Sequence, residues 1–177
     1  VMMVRNPIDI VLSRIDYYFD PKNTFFGTHN KKTFQEQFDA VVTNQNLFFR
    51  PLGEELLDQT NWINLDNCFP LAYEEFFGSQ RDSVINELTN LLKQTVVDTA
   101  KLWQNVYGKS DTFAHGGLRD HKDLTTQQSN HIVEKTIAYW DQIGYDFTDL
   151  NSIDLSEKRR ACRLLRRDPS AIQDIEI

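Results

Sequence analysis

The chain has 177 residues and a mass of 20.7 kDa, with 40% hydrophobic, 12% aromatic and 25% charged residues, a length and composition that suit one globular domain and are short for two. A formal net charge of -7 and a pI near 5.0 exclude broad electrostatic binding to nucleic acid or to an anionic membrane surface, so any anion must be held by a few placed groups. No apolar run approaches the ~20 residues of a membrane span. Cys68 and Cys162 form no CxxC pair and no Asn-x-Ser/Thr sequon occurs, which favours two free thiols in a reducing, cytoplasmic setting over the Golgi lumen.

In chain order, Val1 to Val4 is a continuous apolar run ended by a turn signal, the pattern of a central strand buried on both faces. Asn6 then serves as an N-cap, Pro7 suits the first helical position, and Asp9 complements the dipole in the first turn. Ile8, Val11, Leu12 and Ile15 follow a helical period, which leaves Asp9, Ser13 and Asp16 together on another face. Asp20 to Asn23 break this helix, and a surface loop is expected to Asn30.

Helical faces follow over Thr33 to Asn44, carried by Phe34, Phe38, Val41 and Val42, and over Pro51 to Asp58. "CFPLAYEEF" supplies a second short apolar run, suited to a strand ending near Tyr73. Ser83 to Tyr107 repeats Val84, Leu88, Leu91, Leu92, Val96, Trp103 and Tyr107 at helical spacing with a break expected near Thr95, and is read as core-facing. Gly108 to Thr125 is a loop, and Thr126 to Ile143 a further amphipathic helix closed by Gly144. The tail from Asn151 carries "EKRRACRLLRRDPS", read as a peripheral helix whose Lys158 to Arg167 cluster faces solvent. Strands separated by helices indicate an α/β fold, but two are few for such a sheet.

The chemistry concentrates at the first turn. A strand that delivers its chain to a helix N-terminus is a ready anion site, because unpaired N–H groups and the helix dipole both favour negative charge. Arg5 adds a permanent planar cation at the carboxyl end of the strand, and Ser13 adds a hydroxyl two turns into the helix. One phosphate is within reach of both. Glu74 and Glu75 follow the second strand and are read as caps of the next segment rather than as a general base, and the four His are too scattered to suggest a metal site.

"VRNPIDIVLS" resembles the second cofactor motif of the nucleotide-dependent sulfotransferases, in which an Arg ends a strand, a Pro-containing turn opens a helix and a Ser follows eight residues after the Arg. The resemblance implies that Arg5 and Ser13 bind the 3′-phosphate of 3′-phosphoadenosine 5′-phosphosulfate (PAPS). "PLAYEEFF" resembles the family strand that ends in Tyr-Glu-Asp-Leu and implies that Tyr73 lies near adenine. "FAHGGLRDHKDLT" is similar to the family's C-terminal phosphate loop: Gly116, Asp120, Lys122 and Thr125 agree, while Ala114 and His115 stand where the family has Arg and Lys, Arg119 replaces a Gly, and His121 a Trp. His115, Gly116 and Arg119 are the cofactor-binding candidates there.

The resemblance implies a P-loop-type parallel sheet with flanking helices, residues 1–150 forming the C-terminal part of the domain and residues 151–177 a peripheral basic helix and tail. The family's phosphosulfate-binding loop and its catalytic His or Glu are expected upstream of Val1. The implied reaction is transfer of a sulfuryl group from PAPS to a hydroxyl or amine of a small-molecule, carbohydrate or protein acceptor. Two alternatives are a non-catalytic nucleotide-binding or interaction module derived from that fold, and another nucleotide-dependent transferase such as a kinase.

Overall fold

A computed structural model of the chain describes residues 1–21, 33–43, 50–63, 65–93, 98, 100–101, 104, 124–146, 153, 155–159 and 162. These form strand β1 (Met2–Val4), helices α1 (Pro7–Tyr18), α2 (Phe34–Thr43) and α3 (Leu52–Ile63), strand β2 (Pro70–Ala72), and helices α4 (Tyr73–Phe77), α5 (Arg81–Leu91) and α6 (Thr126–Ile143). The architecture is mostly helical with a small parallel sheet, α/β in the coarse sense. Close contacts divide the chain into two units: one of residues 1–4, 62–119 and 149–177, the other of residues 5–61 and 120–148.

In the first unit β1 and β2 run parallel, with Met2 opposite Pro70, Met3 opposite Leu71 and Val4 opposite Ala72. Pro70 opens its strand, a position where the missing N–H is tolerated. The strand expected over Val1 to Val4 is present, but only Val4 is buried and Met3 is exposed, so burial on both faces is not realised. α5 is shorter than its apolar spacing suggests. Leu92 and Lys93 leave the helix as a turn, Lys93 in a left-handed conformation with φ 53°, and Leu92 is exposed. Val96, Trp103 and Tyr107 lie outside the described residues.

In the second unit α1 packs against α2 and α6. Ile8, Val11, Leu12 and Ile15 are buried along one side of α1, Phe38, Val41 and Val42 on α2, and Ile132, Tyr139, Trp140 and Ile143 on α6, each set at the spacing that puts it on one helix face. The helix ends obey local chemistry. Thr125 accepts from the Gln128 amide at 3.2 Å while the Gln128 side chain accepts from the Thr125 amide at 2.9 Å, a reciprocal capping box. Gly144 closes α6 at φ 88°, and its N–H donates to Trp140 O at 2.8 Å. α3 runs past Asp58 to Ile63, five residues beyond the sequence expectation, because Thr60 and Ile63 continue its buried face.

α3 and α6 approach each other closely at Gly53, where an added Cβ would collide with the carbonyl oxygen of Lys135. Backbone cannot yield as a flexible side chain does. Gly53→Ala is therefore expected to lower the stability of the fold by about 1–3 kcal/mol, read from the urea midpoint. At an open helical position the same change would stabilise by up to ~1 kcal/mol, so a rise in the midpoint would disprove the close approach.

Candidate functional site

The turn between Val4 and Pro7 is built from side chains on its own helix and from one residue distant in sequence. Asn6 has extended backbone (φ -62°, ψ 138°) and its side-chain oxygen accepts from the Asp9 amide at 2.8 Å, satisfying one of the open donors of the first helical turn. The Arg5 guanidinium folds back along α1, and its Nη2 lies 3.2 Å from Asp9 Oδ2. Asp9, expected to complement the dipole in the first turn, is only 1% exposed: its carboxylate is buried against the helix start and balanced by the Arg5 cation. Ser13, one turn beyond Asp9, is half-buried.

The main chain of the turn is held as well. Tyr139 of α6 donates its hydroxyl proton to the Arg5 carbonyl at 3.1 Å, and the same oxygen lies 3.4 Å from the Arg5 amide, which donates to it. Elsewhere in this unit Arg14 makes a two-pronged ion pair with Glu55 of α3, at 3.0 and 2.6 Å. Burial pushes the nearby Tyr18 hydroxyl above the ordinary tyrosine pKa, an effect that Arg14 opposes and Glu55 reinforces.

Tyr73 belongs to the first unit. It is the first residue of α4 and its ring stacks on Phe77 at 4.1 Å between centroids, one helical turn away. Arg5 lies just before α1 and Ser13 within it, and the fold gives Tyr73 a packing role of its own. His115, Gly116 and Arg119 lie outside the described residues.

Glu75 is buried, and its Oε2 accepts from the Ala72 amide at 3.2 Å, so the capping role expected for this carboxylate is present. The same carboxylate also takes two hydrogen bonds from Arg159, at 2.7 and 2.9 Å, while Arg159 Nε lies 2.8 Å from Glu87 as an ion pair rather than an aligned hydrogen bond. Arg159 is 3% exposed, and its guanidinium carbon stands 6.0 Å from the centre of the Phe69 ring. This corrects the reading of the basic tail as a wholly solvated face: Arg159 is drawn inward because two carboxylates there require a counter-charge. Burial works against that charge, but the hydrogen bond and charge of Glu75, with Glu87, outweigh it and hold the Arg159 pKa above the ordinary arginine value.

Cys68 and Cys162 are free thiols, and burial raises the Cys68 pKa above the ordinary cysteine value. Among the described residues no group of three or more His, Cys, Asp or Glu side chains is placed to hold a metal ion, and no helix is long and apolar enough to cross a membrane. No protein-family model, curated protein or solved structure matches the chain.

Two of the residues that build these sites carried no signal in the sequence reading. Asp9 was visible as a carboxylate four residues after Arg5, the spacing of a helical ion pair. Tyr139 and Arg159 act across separations of 134 and 84 residues, which no local pattern reports.

Arg159→Ala is expected to destabilise the first unit by about 3–5 kcal/mol, since it leaves Glu75 buried without its cation. Urea unfolding followed by tryptophan fluorescence measures this. A loss below ~1 kcal/mol, the range of exposed ion pairs, would contradict a buried pair.

Proposed function

We propose that the chain contributes the nucleotide 3′-phosphate site of a sulfotransferase built on a P-loop-type parallel α/β fold, with Arg5 and Ser13 as phosphate ligands. The observation that carries this reading is the path of the Arg5 side chain. Because its Nη2 already reaches Asp9, only one turn of α1 separates it from Ser13, about 6 Å at 1.5 Å per residue. A phosphate accepting one hydrogen bond at each side spans roughly 7–8 Å. A guanidinium has five N–H donors in a fixed fork, so pairing with Asp9 and binding an anion are compatible. The Arg5 side chain is 18% exposed, enough for contact with a ligand while keeping the local dielectric low.

When bound, PAPS supplies the sulfuryl group that passes to a hydroxyl or amine of the acceptor. The part assigned to this chain is recognition: Arg5 offers charge-assisted hydrogen bonds to the 3′-phosphate, Ser13 a hydroxyl, and the capped start of α1 a favourable dipole. Glu75 is committed to Ala72 and Arg159 and is given no proton-transfer role. The reading rests on Arg5 and Ser13 and does not require Tyr73.

One observation favours a second reading, a non-catalytic module derived from the same fold. The buried Asp9 carboxylate already balances Arg5, so the turn has a structural purpose without any ligand. Calorimetric titration of the full-length protein with adenosine 3′,5′-bisphosphate, beside adenosine 5′-monophosphate, separates the two. The bisphosphate is expected to bind more tightly, Arg5→Ala to weaken it by about 1.5–3 kcal/mol and Ser13→Ala by about 0.5–1.5 kcal/mol. Equal affinity for both nucleotides, or an Arg5→Ala variant that binds like the parent, would sink the phosphate site.

A further inference from the structure

We infer that Tyr139 is a positioning residue for Arg5, its hydroxyl setting the direction in which the guanidinium is presented to an anionic phosphate; this rests on the reading of Arg5 given above.

Arg5 stands between a strand and a helix and belongs to neither. The Tyr139 hydroxyl meets both of its main-chain groups, donating to the carbonyl at 3.1 Å and facing the amide at 3.4 Å. The amide belongs to the peptide plane before the Arg5 Cα and the carbonyl to the plane after it. One oxygen thus ties the two planes together and restricts φ and ψ at Arg5, the two angles that aim its Cα–Cβ bond. Asp9 then fixes the far end of the same side chain. Backbone and guanidinium are held from two different helices.

Tyr139 is suited to this by its own surroundings. Its ring is buried and lies near-parallel to that of Tyr145, with centroids 6.5 Å apart. The neighbouring Trp140 is fixed by its indole N–H, which donates to Thr136 Oγ1 at 2.8 Å, and that hydroxyl donates to the Ile132 carbonyl at 2.7 Å. A ring anchored in this way leaves its hydroxyl little freedom. Packing alone would be met by phenylalanine, which fills nearly the same volume; the hydroxyl is the part that addresses Arg5.

The test is a double-mutant cycle in the full-length protein, titrated with adenosine 3′,5′-bisphosphate. Tyr139→Phe is expected to weaken binding about tenfold, the loss of one to two ordinary hydrogen bonds. In an Arg5→Ala background it is expected to cost nothing further, and in a Ser13→Ala background to keep its full effect. Hydrogen exchange of the unliganded protein gives a second readout, with the Arg5 amide exchanging faster in Tyr139→Phe while the α1 amides from Val11 onward do not change. If Tyr139→Phe binds like the parent while Arg5→Ala is impaired, the positioning role is overturned and the phosphate site stands. If its cost is the same with and without Arg5, Tyr139 acts through general stability and the inference fails. If Arg5→Ala itself has no effect, both fall together.

Discussion

A carboxylate buried at the first turn of a helix has to be compensated, and in this protein that requirement organises the segment on which function is argued. Asp9 sits over the start of α1, where its charge suits the helix dipole, but burial would make it costly if the dipole were its whole compensation. Arg5 supplies the missing charge. The arginine is consequently drawn to the helix start instead of extending into solvent, and its guanidinium finishes beside Asp9, which precedes Ser13 by one turn. Asp9 and Ser13, four residues apart in α1, share a helix face, and Arg5, just before the helix, reaches Asp9 from its N-terminal end.

A comparable constraint governs the first unit through different residues. Glu75 is pulled inward by two duties, closing the open amide at Ala72 and facing Arg159. The bidentate geometry with Arg159 satisfies both carboxylate oxygens, and Glu87 shares the same cation from a more exposed position. Replacing such a group by apolar residues often costs little, whereas removing one partner is expensive. Arg159 is therefore part of the unit's core, although its neighbours in sequence are charged.

How much of this was legible depended on whether the governing contact was local. Asn6 and Pro7 announced the start of α1, Thr126 to Ile143 and Gly144 announced α6 and its end, and the short apolar run before Tyr73 announced β2, because caps, φ preferences and periodicity act within a few residues. Periodicity misled at Leu92, where an apolar residue was taken to mean core and the left-handed turn at Lys93 decided otherwise. Arg159 was misread for the same reason at longer range, since its partners are 84 and 72 residues away in the chain.

The pairing of Arg5 with Asp9 also bears on what kind of anion the turn would accept. A carboxylate already beside the guanidinium lowers the net attraction for any further negative charge, so a weakly charged or loosely fitting ligand gains little there. A phosphate dianion has the charge and the oxygen geometry to match a guanidinium fork, and its tetrahedral shape would reach a hydroxyl one helical turn away. The chain carries a formal charge of -7, which does not draw anions in from a distance. Discrimination must then come from contact geometry rather than from steering. An arginine fixed at the guanidinium by Asp9 and at the main chain by Tyr139 has lost its conformational freedom before a ligand arrives, and preorganisation of that kind turns one partly neutralised cation into a selective contact.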